Sequence, residues 1–234
     1  MKDKNTLFLI PVGLSDTSID WYLPHNVLKT IHSINQFIVE NAKTARHFLK
    51  FIKHPNPIQT IEIYELDKHN LTGQLNEIKT LLNANQSVGL MSEAGLPCIA
   101  DPGTHIVKLA HEIDMRVKPL TGPSSILLAL MASGFNGQNF KFVGYIPAKG
   151  LEKKQILLQM ENESAHTTQL FIEAPYRNDQ LLGDLCEILN PSTMLMLAIN
   201  LTAEDEKIIS KPISWWKQNR MEIGKVPCLF GMGK

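Results

Sequence analysis

The chain has 234 residues, enough for one large folded core or two smaller ones. Hydrophobic residues at 44% and charged residues at 20% exclude a disordered chain. Lysine plus arginine equal aspartate plus glutamate at 23 each, which argues against a globally basic nucleic-acid binder and leaves room for a local basic patch. The cysteines, Cys98, Cys186 and Cys228, are scattered and form no CxxC pair, which speaks against a disulfide scaffold or zinc site and fits a reducing cytoplasm.

In chain order, "TLFLIPV" is too short an apolar run for a secretory signal and reads as a first strand. "WYLPHNVLKTIHSI" is helical after its proline, "QFIVEN" is a strand and "AKTARHFLKFI" a helix. "TIEIYEL" and "SVGLMS" are strands flanking the helix "LTGQLNEIKTLLNAN", and "HIVKLAHEIDM" is the next helix. "RVKPLTG" is a strand, and "SILLALMASG" is an apolar helix closed by Gly134. No run approaches the roughly 18 apolar residues of a membrane span. Regular alternation of this kind predicts an α/β fold with a largely parallel sheet, whose ligands bind beyond the carboxyl ends of the strands.

Beyond Gly134, strands at "FKFVGYI", "TTQLFIEA", "TMLMLAIN", "EKIISK" and "KVPCLFG" outnumber the helices "LEKKQILLQME", "RNDQLLGDLCEIL" and "PISWWKQN". The expectation is a second α/β domain with a mixed sheet, giving domains of 1–118 and 119–234.

The usual nucleotide signatures GxGxxG and GxxxxGK[ST] are absent, as are HExxH and GxSxG. His105 and His111 do not share a helix face, so no metal site is expected. Chemistry therefore falls to the loops. "SEAGLPCIADPG" (92–103) combines turn-forming glycines, stiffening prolines and the acceptors Ser92, Glu93 and Asp101; it reads equally as a structural loop or a ligand loop. "TGPSS" offers amides and the hydroxyls of Ser124 and Ser125 at a helix start, where plain N-capping also satisfies it. "FIEAPYR" puts Glu173, Tyr176 and Arg177 at a strand end; a structural ion pair and a site role both fit. Lys149, Lys153 and Lys154 crowd a helix start against its dipole, which a phosphate-rich partner or a solvated face would explain.

These segments, with "RVKPLTGPSSILLALMASG", "FVGYIPAKG" and "LAINLT" between and after them, resemble in order and spacing the tetrapyrrole methylase superfamily, and within it the branch of ribosomal RNA small-subunit methyltransferase I. The resemblance implies a homodimeric, two-domain α/β enzyme with a parallel-rich N-terminal sheet, a mixed C-terminal sheet, and S-adenosylmethionine folded into the cleft between them. The acceptor it implies is a ribose 2′-hydroxyl of small-subunit ribosomal RNA. Matching positions assign the cofactor to Pro11, Ser92, Glu93, Ala94, Gly95, Pro97, Ser124, Ser125, Glu173, Ala174, Asn200, Leu201 and Pro227. Glu40 is the candidate base for the hydroxyl proton, and Arg46, Lys149, Lys153, Lys154, Tyr176 and Arg177 are the candidate substrate contacts. Tyr176 stands where the branch carries histidine, and Ile199-Asn200 where it carries Arg-Glu. The alternatives are the same transfer to a small tetrapyrrole-like molecule or a protein side chain, or binding of the cofactor without turnover.

Overall fold

The computed structural model describes residues 5–67, 71–84 and 86–234; the first four residues and Asn85, which closes the third predicted helix, lie outside them. It divides into two compact units, Met1–Pro123 and Ser124–Lys234.

The first unit carries β1 (Thr6–Ile10), α1 (His25–Ile31), β2 (Gln36–Val39), α2 (Ala42–Phe51), β3 (Glu62–Glu65), α3 (Leu71–Leu82), β4 (Val88–Met91), α4 (Thr104–Glu112) and β5 (Arg116–Pro119). Its sheet is all parallel, in the order β3-β2-β4-β1-β5. The central strands read as unbroken apolar runs because both of their faces are covered. Along β1 the side chains alternate: Phe8 and Ile10 join the cluster under α1 and α2, while Leu7 faces the cluster under α3 and α4. Gly89 lets Ile10 and Phe37 meet across β4, since a Cβ there would lie 2.5 Å from Ile10 Cδ1 and 2.7 Å from Phe37 Cδ1. The unit keeps all of β5, with Pro119 paired to Leu9, so the division falls after Pro123.

His54 is buried in this unit, edge-on to His32 with ring centroids 5.7 Å apart. Its Nδ1 accepts from the Asn56 amide at 3.2 Å, which leaves Nε2 as the donor to the Ile34 carbonyl at 3.0 Å. Burial, helped by the neighbouring His32, holds the imidazole below its ordinary pKa, against several favourable backbone contacts. The folded state therefore binds the proton less readily than the unfolded chain. Stability from this source is complete above about pH 6.5 and is lost as pH falls toward the folded value. Thermal melts should show the melting temperature dropping between pH 7 and pH 5, with a smaller drop in His54→Gln.

The second unit carries α5 (Ser125–Ser133), β6 (Phe140–Tyr145), α6 (Leu151–Glu163), β7 (Thr168–Ile172), α7 (Asn178–Ile188), β8 (Met194–Ile199), β9 (Lys207–Pro212), α8 (Ile213–Gln218) and β10 (Cys228–Gly233). The sheet order is β6-β7-β10-β8-β9, with β6 parallel to β7 and the remaining pairs antiparallel, a mixed sheet. One face packs Phe171, Leu197, Phe230 and Met232 against α6, α7 and α8, with Trp216 buried among them. The other face receives α5 on β9 and β10. Gly231 and Gly233 keep that face flat enough for Phe135, whose Cγ a Cβ at Gly233 would approach to 2.7 Å. Among the described residues no helix is long and apolar enough to cross a membrane.

Candidate functional site

In the first unit, β1 and β4 are adjacent, yet the helices that follow them part. α1 buries Val27 and Ile31 on one face of the sheet, and α4 buries Ile106, Leu109 and Ala110 on the other. Neighbouring parallel strands whose helices diverge in this way leave a crevice beyond their carboxyl ends, the usual ligand position in such sheets.

Three loops meet at that crevice. Val12 donates its amide to the Gly95 carbonyl at 2.9 Å, and Gly95 returns the bond at 3.1 Å, clipping the loop after β1 to the loop after β4. Gly122, after β5, lies hard against the Pro11 ring. Gly95 has φ +69, and a Cβ there would sit 3.7 Å from the Pro123 carbonyl oxygen. The candidate cofactor residues Pro11, Ser92, Glu93, Ala94, Gly95 and Pro97 are thus all brought to one edge. Ser92 turns its hydroxyl inward to the Ala94 carbonyl at 3.1 Å, whereas Glu93 and Ala94 are exposed.

The loop is strained. Cys98 and Ala100 have φ of 69° and 61°, in the left-handed region that non-glycine residues avoid. Asp101 compensates: its carboxylate accepts from the amides of Cys98 and Gly103, each at 2.7 Å. Burial pushes the Asp101 carboxyl above its ordinary pKa and the nearby Glu40 charge pushes the same way, opposed by the backbone amides. Glu40 follows Val39, which pairs with Met91, so the candidate base stands at the strand end beside this loop. Burial also raises the Cys98 thiol to about 12, so the loop holds a protonated thiol and no thiolate nucleophile.

Sequence reasoning treated Asp101 only as one acceptor among several and missed its positioning role. The signal was an aspartate two residues before a glycine that starts a helix. Asp101→Asn retains one acceptor and turns an NH2 group toward an amide, so it should cost about 1–3 kcal/mol. Faster hydrogen exchange at the Cys98 and Gly103 amides would be the local readout.

In the second unit, β7, β10 and β8 lie side by side, so residues 173–177, 200–206 and 223–227 share one edge of the sheet. The Glu173 side chain is fully buried. Its Oε1 accepts from Arg177 Nη2 at 2.5 Å and from the Ala174 amide at 2.7 Å, while Oε2 meets no donor among the described residues. Asn200 donates its amide to the Pro227 carbonyl at 3.0 Å; Asn200 and Thr202 are left-handed at φ 50° and 73°, and Leu201 between them is buried. The candidates Glu173, Ala174, Asn200, Leu201 and Pro227 therefore gather here.

Asn178 and Asp179, which sequence reasoning did not single out, hold this edge together. Asn178 donates to the Val226 carbonyl at 2.8 Å, and Asp179 accepts from the Ile223 and Gly224 amides at 2.7 and 3.2 Å. Asn178 Oδ1 is buried and, like Glu173 Oε2, meets no donor among the described residues. Ser124 caps α5 by accepting from the Leu127 amide at 3.4 Å, so its capping role is met, and Ser125 opens the helix.

Of the candidate substrate contacts, Arg46, Lys149, Lys154 and Tyr176 are exposed and Arg177 is half-buried. Lys153 departs from expectation. It is 5% exposed and forms an ion pair with Asp184 of α7, which removes it from the surface. Its place on the inward side of α6, beside the buried Leu157 and Met160, explains why.

A protein-family model described as Tetrapyrrole (Corrin/Porphyrin) Methylases matches residues 6–214. The chain belongs to this family. Among curated relatives, "Ribosomal RNA small subunit methyltransferase I" of Escherichia coli O157:H7 is 32% identical, covering 91% of this chain and 72% of its own length. The proteins of the same name from Vibrio cholerae serotype O1 and Bacillus subtilis are 31% and 29% identical, covering 89% and 94% of this chain and 69% and 73% of their own lengths. These matches put this tetrapyrrole methylase in the small-subunit methyltransferase I branch. A crystal structure of diphthine synthase superposes with a TM-score of 0.70 over 98% of this chain and 90% of its own, at 13% identity, and the methyltransferase CobJ with 0.63 over 98% and 93%, at 14%. At such identities these two establish the fold alone.

Proposed function

We propose that this tetrapyrrole methylase transfers a methyl group from S-adenosylmethionine to a ribose 2′-hydroxyl of small-subunit ribosomal RNA, as a homodimer. The observation that carries the reading is the clip between Val12 and Gly95, which ties the loops after β1 and β4 together, backbone to backbone, at the crevice of the first sheet. A Rossmann or P-loop cradle is absent from the sequence, so a ligand there is met by loop backbone and fixed turns.

The residues present fit the cofactor. It is rich in N–H and O–H donors, and Glu173 Oε2 and Asn178 Oδ1 are buried acceptors that meet none among the described residues. When bound, it supplies a methyl carbon made electrophilic by a sulfonium. The chain's own task is then alignment and proton removal. The rigid turns at 92–103 in the first unit and at 200–202 in the second each keep their own shape at small entropic cost, and Glu40 would accept the proton of the acceptor hydroxyl. Lys149, Lys154, Arg46 and Arg177 contact phosphates.

The test is titration with S-adenosylmethionine, followed by transfer of labelled methyl to unmodified small ribosomal subunits. Label appearing as a 2′-O-methylnucleotide is the expected result. Binding without label in RNA would give this chain another acceptor or none, and absence of binding would overturn the assignment.

A further inference from the structure

We infer that Tyr176 is a stacking platform for one unpaired RNA base, an inference that rests on the ribosomal RNA reading above. The Tyr176 side chain is 68% exposed, at the carboxyl end of β7. It is also held in place. The Arg177 guanidinium lies over the ring with its carbon 5.1 Å from the centroid, and Arg177 Nη1 donates to the Tyr176 hydroxyl at 3.0 Å. Arg177 is in turn tied by Nη2 to Glu173 Oε1, whose side chain is buried. A buried carboxylate thus fixes a guanidinium, and the guanidinium fixes a ring that remains open to solvent.

An exposed aromatic side chain ordinarily loses rotamer freedom when a ligand stacks on it. Here that freedom is already restricted in the free protein, so the ring is ready to receive a flat partner. The surroundings favour a polyanion carrying such a group. β6 and β7 are parallel neighbours, with Tyr145 opposite Ile172, so the loops after them leave the same edge of the sheet. That edge also presents Tyr145, 61% exposed, and the exposed Lys149, with exposed Lys154 in the first turn of α6. Aromatic faces interleaved with cations match the chemistry of single-stranded nucleic acid, whose unstacked bases offer π-faces and whose phosphates offer charge. Paired RNA offers the charge but no free base face.

The experiment titrates the full chain, wild type, Tyr176→Ala and Tyr176→Phe, with a fluorescently labelled short unstructured RNA and with the same sequence as a duplex, at one fixed salt concentration. The single strand should bind more tightly than the duplex to wild type, and Tyr176→Ala should weaken single-strand binding about tenfold. Tyr176→Phe, which keeps the ring, should stay close to wild type. Equal single-strand affinity for wild type and Tyr176→Ala, preference for the duplex, or no binding of the single strand overturns the platform. Methyl transfer to small subunits, scored in parallel, separates the two claims. Ring-dependent binding with no transfer upholds the platform and removes the ribosomal acceptor; transfer with a Tyr176→Ala KM equal to wild type removes the platform and leaves the acceptor.

Discussion

Gly122→Ala is expected to lower S-adenosylmethionine affinity at least tenfold and to destabilise the first unit. A Cβ at position 122 would fall within 2.5 Å of Pro11 Cγ and closer still to Pro11 Cβ. Neither partner has room to move. Pro11 is a rigid ring, followed by Val12 in its two-bond clip with Gly95, and Leu120 is bonded through its amide to the Leu9 carbonyl at 3.0 Å. The strain must therefore open the clip or shift β5, and either movement displaces the loops that meet at the crevice. Overpacking of this kind costs about 1–3 kcal/mol. Calorimetric titration and thermal melting check both halves of the expectation. Gly137→Ala, where a Cβ would meet nothing within 4 Å, is the control and should behave as wild type. Unchanged cofactor binding in Gly122→Ala would mean that the Pro11 loop has no part in holding it.

The second large effect belongs to Asp184→Ala. Lys153 is buried and its ammonium is paired with Asp184. Removing the carboxylate leaves a charge under the surface with no partner, at a cost of about 3 kcal/mol, reduced somewhat because the Asp184 side chain is 31% exposed. For a chain of this size each kcal/mol is worth roughly 2–4 °C, so melting should fall by several degrees. Lys153→Met should cost much less, because it removes the buried charge itself and supplies apolar volume beside Leu157. This asymmetry distinguishes the two roles of the lysine. A phosphate contact at the surface would leave the melting temperature of Asp184→Ala unchanged and weaken RNA binding in Lys153→Met.

How much was legible in the sequence differs between the fold and the site. Elements are set by patterns within about ten residues, and such patterns can be read directly. The two-faced apolar run of β1, Ser124 before an apolar helix, and Gly134 in the left-handed conformation at its end each carry their own local cause. The shift from regular alternation to a strand-rich second half was equally local, and it emerges as a parallel sheet followed by a mixed one.

The roles of individual charges were not legible, because a side chain bonds whatever the packing brings to it. "KGLEKK" shows three lysines at a helix start, yet only the rotation of α6 against α7 turns Lys153 inward to Asp184 and leaves Lys154 outside. Asp101 looks like any loop acceptor until Cys98 and Ala100 adopt left-handed backbone and need amides tied down. Asn178 and Asp179 depend on a segment more than forty residues away.

By itself, then, the amino-acid order determined the helices, the strands and the rigid character of the loops, since propensity, capping and turn chemistry act between near neighbours. Tertiary structure alone decided that β4 enters between β2 and β1, that Val12 and Gly95 clasp, and which carboxylate each cation meets. Those choices depend on long-range packing and on the cost of burying an unpaired charge, which no short window of residues contains.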